Sequence, residues 1–269
     1  MDSPDLAQLK QRMKALWTAG DFGQIARLNE RSAEEFVDRL SLVPGMRVLD
    51  IACGTGNQSI PAARAGAHVT GVDIAPNLLQ QARERARKEN LKATFVEADA
   101  ENLPHNPAEF EVVLSMFGAM FAPRPDLVVS ELLRVCRPGG LIAMGNWTHE
   151  GFVGKSFAVT AKHVPPPPNI PPPVLWGDES VVAQRFGNRA RLQMTRRKLK
   201  FDLPYAPAHV VNLFRTYFGP TKMAFERLDP TAQEAMYDEL VRLWTDHNQA
   251  SNGRTLIEGE YLEVHARPN

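Results

Sequence analysis

The fold is indicated by residues 48–56, which read VLDIACGTG. The largely apolar run 46–52 is short, as is typical of a buried strand in a parallel sheet. It leads into a turn that holds Gly54 and Gly56. Glycine adopts a positive φ without strain and lets backbone N–H groups approach a ligand closely. The stretch therefore predicts a buried strand that ends in a tight turn suited to ligand binding.

Strands and helices alternate after this turn. Strands are predicted at 68–72, 94–97, 112–115 and 141–145, separated by helices at 57–65, from Pro76 onward and at 126–135. Helices of this length between strands predict a parallel sheet with helices on both faces. Helices at 5–18 and 23–42 precede the sheet; helices at 178–186, 208–218 and 231–248 and strands at 191–201 and 260–265 follow it.

Composition restricts the class of protein. The chain has 269 residues, 43% of them hydrophobic, and its 31 Lys and Arg balance 31 Asp and Glu. This size and balance exclude a wholly disordered chain and argue against a dedicated nucleic-acid binder or a polybasic membrane-surface protein. The basic residues at 191–200 invite an RNA interpretation. Alternation along a strand divides their charges between two faces, so we expect no nucleic-acid partner.

The cysteines and the first residues indicate the compartment. Cys53 and Cys136 are too few and too far apart for a disulfide framework or a Cys/His array, so we expect reduced thiols and no metal. The first residues carry acids and a proline where a signal peptide would carry a basic end and an apolar stretch. No later run approaches the length needed to cross a bilayer. We therefore expect a cytoplasmic protein without a membrane span.

Asp73 ends the second predicted strand, where a carboxylate can accept both ribose hydroxyls of a nucleoside at the switch point of the sheet. With the glycine turn it indicates a nucleoside site, for which a dinucleotide such as NAD and S-adenosylmethionine compete. The dinucleotide fingerprint requires glycine three residues after Gly56, where this chain has Ser59. Asp50 would also repel a pyrophosphate. The pattern therefore favours S-adenosylmethionine, whose ammonium and sulfonium groups are positive.

Four motifs in order resemble those of class I S-adenosylmethionine-dependent methyltransferases, particularly the small-molecule group that includes ubiquinone/menaquinone C-methyltransferases. They are motif I at 50–56 with Ala52 replacing the first glycine, the ribose loop at 72–74, the adenine turn at 98–104 and the turn at 134–140. Phe110-Glu111 departs from the usual Phe-Asp. The resemblance implies a Rossmann-like α/β fold with a seven-stranded, mostly parallel sheet. We expect one domain: N-terminal helices at 1–43, a cofactor-binding core at 44–147, and a lid insertion, C-terminal helices and closing strands at 148–269.

The resemblance also implies a role for each matching residue. The methionine part of S-adenosylmethionine would be held by Asp50 and the loop Ala52, Cys53, Gly54, Thr55 and Gly56, with its carboxylate on backbone N–H groups. Asp73 would hold the ribose; Ile74, Asp99, Ala100 and Glu101 would surround the adenine. Ser115, Met116 and Phe117 would border the sulfonium and the acceptor. Core packing is the alternative role for Ile74, Met116 and Phe117.

The acceptor side offers fewer signals. Methyl transfer from a sulfonium requires a base only if the acceptor carries a proton of high pKa. His149 follows the fifth strand and is a candidate for that base, with a solvated loop histidine as the alternative. His105 and His163 are weaker candidates for that base. Phe117, Met120 and Phe121 are expected to form an apolar wall for a partly apolar acceptor.

Prolines crowd residues 164–173, which predicts a stiff polyproline-like segment. We expect it to cover the cleft or to form a surface strap, and a PxxP ligand for a partner is the alternative. The expected function is methyl transfer to a small molecule by a monomer or homodimer. The competing hypotheses are a non-catalytic S-adenosylmethionine-binding regulatory protein and a nicotinamide-dependent oxidoreductase.

Overall fold

The computed structural model describes residues 3–269. In this part of the chain one sheet contains the strands β1 (Arg47–Ile51), β2 (His68–Asp73), β3 (Ala93–Glu97), β4 (Phe110–Met116), β5 (Cys136–Trp147), β6 (Ala190–Leu203) and β7 (Thr255–Pro268). The strand order is β3-β2-β1-β4-β5-β7-β6. Strands β1 to β5 pair in parallel, whereas β7 runs antiparallel to both β5 and β6. The predicted Rossmann-like α/β fold with a seven-stranded, mostly parallel sheet is confirmed.

Helices surround this sheet. They are α1 (Ser3–Thr18), α2 (Phe22–Ala26), α3 (Glu30–Asp38), α4 (Ser59–Arg64), α5 (Pro76–Lys88), α6 (Pro125–Val135), α7 (Phe152–His163), α8 (Glu179–Phe186), α9 (Pro207–Tyr217), α10 (Gly219–Glu226) and α11 (Pro230–Asp246). Proline opens α5, α6, α9 and α11, because its fixed φ and missing N–H suit the first turn of a helix. Asp178 caps α8 by accepting hydrogen bonds from the N–H groups of Ser180 and Val181.

The leading segment differs from the single helix predicted at 23–42. Helix α2 ends at Ala26, a 3-10 turn spans Arg27–Asn29, and α3 begins at Glu30. Asn29 has φ −115° and ψ 4°, outside the α-helical range, so the backbone changes direction there. Apolar spacing alone does not reveal such a break, because the residues on both sides keep a helical period.

Two helices were not predicted. Helix α7 contains Gly154 and β-branched residues, and α10 begins with Gly219-Pro220, which reads as a break. Helix α7 nevertheless packs against α11 and β7, and α10 packs against α9 and α1. Tertiary packing therefore outweighs the weak intrinsic helix propensity of both segments.

The central strands position the functional site. Strands β1 and β4 are adjacent and almost fully buried, and they are covered by side chains such as Phe36 and Trp176. Strand order reverses between them, because β2 continues outward from β1 and β5 continues outward from β4. Ligands of open α/β sheets bind in the crevice beyond the carboxyl ends of the strands at such a reversal.

The basic strand and the proline segment both lie at the periphery. Three basic residues of β6 are paired: Arg196 with Glu179 at 2.8 Å, Arg197 with Glu263 at 2.8 Å and Lys198 with Glu258 at 3.0 Å. Residues 165–169 are exposed and connect α7 to a 3-10 turn at Pro173–Gly177. The proline segment therefore lies largely on the surface. No helix within residues 3–269 combines the length and apolar composition that a membrane crossing requires.

Candidate functional site

A cavity of about 370 Å³ opens at the carboxyl ends of β1 to β4. We call it the nucleoside cavity, after the class of ligand that the sequence predicts at this position. Of the thirteen residues predicted to bind the cofactor, nine line it: Ala52, Cys53, Gly54, Thr55, Asp73, Ile74, Asp99, Ala100 and Met116. The structure therefore brings together residues from four separate strand ends. Asp50, Gly56, Glu101 and Ser115 are not part of this lining.

Asp73 fixes the glycine turn against the end of β2. Its Oδ2 accepts a hydrogen bond from the N–H of Gly54 at 2.8 Å, and its Oδ1 accepts one from the N–H of Ala75 at 2.8 Å. Burial raises the pKa of this carboxyl, and the backbone hydrogen bonds oppose that shift. Each carboxylate oxygen has a second lone pair, so Asp73 can still accept hydrogen bonds from a ligand in the cavity that it lines.

The turn after β1 holds an unusual backbone conformation. Ala52 and Gly54 both have φ +53°. A residue with a Cβ pays about 1–2 kcal/mol for this left-handed conformation, which explains why glycine suits the position that Ala52 occupies. Gly118, beyond β4, passes so close that a Cβ there would lie 2.6 Å from the carbonyl oxygen of Ala52. The two loops are therefore packed backbone to backbone.

Several amides of this turn are used inside the protein. The N–H of Cys53 donates to the carbonyl of Val72 at 3.0 Å, and the N–H of Gly56 donates to that of Cys53 at 2.8 Å. The N–H of Gly54 is held by Asp73, as described above. These amides fix the shape of the turn, so N–H donors for a ligand carboxylate would have to come from its remaining residues, such as Thr55.

Asp50 lies beneath the turn with no exposed surface. Its Oδ2 accepts a hydrogen bond from the hydroxyl of Ser59 at 2.6 Å, while its buried Oδ1 has no hydrogen-bond partner among the described residues. Burial raises the pKa of Asp50 to about 7, and the neighbouring Asp73 carboxylate adds to the shift. A positive ligand in the cavity would stabilise the ionised form of Asp50.

Helix α1 covers the opposite end of the nucleoside cavity. Lys10 Nζ lies 2.7 Å from Asp99 Oδ2 and 2.5 Å from Glu101 Oε2, and Lys14 pairs with Glu97. The Glu101 side chain is fully buried and also pairs with Arg124 at 2.7 Å. Glu101 therefore anchors α1 and does not itself line the cavity.

Sequence reasoning placed α1 before the sheet without assigning it a binding role. Lys10, Lys14 and Trp17 all line the nucleoside cavity. Their spacing of four and three residues places them on one helix face. Two lysines and a tryptophan on one helix face are the sequence signal that could have indicated a binding role for α1.

A second cavity of about 80 Å³ adjoins the first. We call it the side chamber. It shares five lining residues with the nucleoside cavity, namely Trp17, Phe22, Asn29, Phe117 and Phe121. Its other lining residues are Ile25, Trp147, Phe152, Val153, Ser156, Phe157, Thr160, Phe201, Phe214, Phe218, Thr221 and Trp244. Aromatic rings therefore dominate the space beside the end of β4.

The remaining predicted residues lie elsewhere. The Ser115 hydroxyl donates to the carbonyl of Ile51 at 2.9 Å and so links β4 to β1. Met120 is buried in the core, so the expected apolar wall consists of Phe117 and Phe121. His149 is exposed and lines neither cavity. The proline segment 164–173 lines neither cavity, so it is not a cover over the cleft.

Comparison with known proteins places these features in a wider context. A family model described as a methyltransferase domain matches residues 48–140. The uncharacterized protein Rv1403c of Mycobacterium tuberculosis is 40% identical over 259 residues, which cover 94% of this chain and 93% of the relative. The ubiquinone/menaquinone biosynthesis C-methyltransferase UbiE of Rhizobium leguminosarum bv. trifolii is 44% identical over 102 residues, which cover 36% of this chain and 40% of the relative.

The fold is shared with a solved structure. The crystal structure of the YcgJ protein from Bacillus subtilis superimposes with a TM-score of 0.62 at 16% sequence identity. The superposition covers 89% of this chain and 98% of that chain. The likeness therefore extends over most of the chain.

Proposed function

Because the chain belongs to the class I S-adenosylmethionine-dependent methyltransferase family, we propose that it transfers a methyl group from S-adenosylmethionine to a small molecule. The observation that carries this proposal is the pair of buried carboxylates under the nucleoside cavity. Asp73 lines the cavity, and its carboxylate oxygens can accept further hydrogen bonds. The neighbouring Asp50 has a buried oxygen without a hydrogen-bond partner among the described residues. A cavity of about 370 Å³ is also within the usual range of small-molecule sites.

The residues present fit this methyl donor. We assign the ribose hydroxyls to Asp73 and the adenine to Ile74, Asp99 and Ala100, all of which line the cavity. The methionine end is assigned to the turn at 52–55, above the Asp50 carboxyl, whose ionised form a positive ligand would stabilise. Met116, which also lines the cavity, would border the sulfur. When bound, S-adenosylmethionine supplies a methyl carbon that its positive sulfonium has already activated.

The chain itself contributes position and shelter. Trp17 and Phe22 lie edge to face with ring centroids 5.8 Å apart, and Trp17 and Phe121 do so at 5.0 Å. These rings line both cavities and so exclude water from the place where acceptor and donor would meet. Holding two reactants in a productive orientation can lower a barrier by about 7–11 kcal/mol.

The setting of the reaction is also a proposal. We propose a cytoplasmic monomer or homodimer with a small-molecule acceptor and no nucleic-acid partner. Both cysteines are free and buried, and burial raises the pKa of Cys136 to about 12. Reduced, unreactive thiols are consistent with that compartment.

The test is a labelled-methyl screen of the purified protein against a metabolite extract. We expect label to pass from S-adenosylmethionine to a product with the wild type and not with Asp73→Ala. Asp178→Ala is the matched control, because this acid caps α8 away from both cavities. A protein that binds S-adenosylhomocysteine but labels nothing would contradict the proposed activity and favour the non-catalytic binding protein.

A further inference from the structure

The side chamber has the position of an acceptor pocket. It meets the nucleoside cavity at Trp17, Phe22, Asn29, Phe117 and Phe121, and four of these five shared side chains are aromatic. We infer that the side chamber binds an aromatic ring whose acidic hydroxyl group receives the methyl group, and that Asn29 orients this hydroxyl. The inference rests on the proposed methyl transfer and specifies its acceptor.

The arrangement of rings suits a flat apolar group. Phe121 and Phe157 pack edge to face with centroids 5.9 Å apart, and Phe152 and Trp244 do so at 4.6 Å. Edge-to-face and offset contacts are those that aromatic rings prefer, and they stabilise a bound ring beyond the burial of its surface. The chamber of about 80 Å³ is smaller than the cavity of about 150 Å³ that encloses benzene. One ring therefore fits only if its substituted edge reaches into the passage between the two cavities.

Asn29 is the polar side chain at that passage. Its Oδ1 is buried and has no hydrogen-bond partner among the described residues. Leaving a buried acceptor unsatisfied costs free energy, and a hydroxyl donor on the ligand would recover it. After rotation of the side chain, the same amide presents N–H donors to an ionised oxygen. Asn29 thus suits a hydroxyl group in both of its protonation states.

The lining of the side chamber does not take up a proton near neutral pH. Its polar members are Asn29, Ser156, Thr160 and Thr221, which are amides and hydroxyls. Thr160 is already engaged, because its hydroxyl donates to the carbonyl of Ser156 at 3.2 Å. An acceptor bound here therefore has to lose its proton to water through its own acidity, as a phenol does far more readily than an aliphatic alcohol.

The titratable groups around the chamber are hydrogen-bonded or ion-paired to other groups of the protein. The Tyr261 hydroxyl accepts a hydrogen bond from Arg39 at 2.9 Å. His247 has its two ring nitrogens 3.0 Å from the carbonyl of Leu243 and 3.2 Å from Lys155 Nζ. The charged residues lining the nucleoside cavity are Lys10, Lys14, Asp73, Glu97 and Asp99, which are paired with one another or bonded to the backbone as described.

The transfer balances without a further reactant. The ionised oxygen forms a bond to the methyl carbon while the bond from that carbon to sulfur breaks. Sulfur keeps the electron pair and becomes a neutral thioether, and the negative oxygen becomes a neutral methyl ether. The proton has already passed to solvent before this step.

The experiment uses a panel of ring compounds that differ in acidity: 4-nitrophenol, 4-cyanophenol, phenol and cyclohexanol. Binding to the protein saturated with S-adenosylhomocysteine is measured by calorimetry, and methyl transfer is measured with labelled S-adenosylmethionine. We expect the phenols to bind and to give methyl ethers, with a pH–rate inflection that follows the acidity of each phenol. Turnover of cyclohexanol, methylation at ring carbon, or one inflection common to all phenols would overturn the inference.

Two variants locate the site. Asn29→Leu should raise the KM for 4-nitrophenol about tenfold, and Phe157→Ala, which alters the side chamber alone, should also raise it. Both should bind S-adenosylhomocysteine within about twofold of the wild type. If Asn29→Leu weakens S-adenosylhomocysteine as much as 4-nitrophenol, Asn29 belongs to the donor site and the inference fails. If the wild-type protein does not bind S-adenosylhomocysteine, the proposed function is wrong. If it binds S-adenosylhomocysteine but none of the phenols, the proposed function stands and the inferred acceptor is wrong.

Discussion

Phe117 and Trp147 stack face to face, with ring centroids 3.7 Å apart and planes 4° apart. Trp147 ends β5, and Phe117 follows β4 with φ +57°, a conformation that is an outlier for a bulky residue. The N–H of Phe117 donates to the carbonyl of Gly145 at 2.8 Å. Stacking and this hydrogen bond together hold a strained residue at the boundary between the two cavities.

This stack predicts a graded loss of stability. Trp147→Ala should lower the free energy of unfolding by about 3–5 kcal/mol, because a buried ring is lost and the support of Phe117 with it. Trp147→Phe keeps an aromatic face and should cost less than half as much. Urea unfolding measures both variants, and equal losses would show that stacking does not support Phe117.

The strained turn after β1 predicts a stabilising substitution. Ala52→Gly should raise the free energy of unfolding by up to about 1 kcal/mol. Glycine removes the strain of φ +53°, and the greater conformational entropy that it gives the unfolded chain offsets only part of this gain. A thermal scan should show a Tm higher by about 2–4 °C. A lower Tm would mean that the Ala52 methyl group contributes packing that outweighs its strain.

The anchor of α1 predicts an order of effects. Glu101→Leu removes the partner of both Lys10 and Arg124 and should destabilise the protein more than Lys10→Met, which leaves Arg124 to neutralise Glu101. Lys10→Met should also increase proteolysis within α1, since this helix is held at Asp99 and Glu101 by that residue. Urea unfolding and limited proteolysis check the order, and the reverse order would argue against the anchor.

The raised pKa of Asp50 predicts proton release on binding. The pKa of Asp50 is about 7 in the folded protein against an ordinary value of 3.8. Between these pH values the unfolded chain loses a proton that the folded chain keeps. The free protein therefore becomes less stable as the pH rises from about 4 to about 7. A bound ammonium group lowers this pKa. The affinity for S-adenosylhomocysteine should therefore increase as the pH rises toward about 7, at most about tenfold per pH unit, and level off above that value.

Calorimetry in buffers of different ionisation enthalpy measures that proton release directly. Asp50→Asn should abolish it, because the variant has no carboxyl to ionise. Ser59→Ala is the matched control, since it removes the hydrogen bond to Asp50 but keeps the carboxyl. Undiminished proton release in Asp50→Asn would assign the effect to another group, such as Asp73.

The parallel core was predictable from the sequence because its signals are local. The glycine turn, Asp73 and Asp99 each follow a short apolar run, and parallel strands bring such ends together. Asn29 and Lys10 were not identified, because their role depends on how the N-terminal helices fold back over the sheet. Glu101 illustrates the same limit: its motif suggested the adenine, whereas its buried carboxylate binds Lys10 and Arg124.

The most direct test of the account is calorimetric titration of the wild-type protein with S-adenosylhomocysteine and, separately, with NAD. We expect S-adenosylhomocysteine to bind with one site per chain, Asp73→Ala to lose that binding, and NAD to give no heat of binding. Binding of NAD, or an affinity for S-adenosylhomocysteine that Asp73→Ala leaves unchanged, would contradict the assignment of the nucleoside cavity.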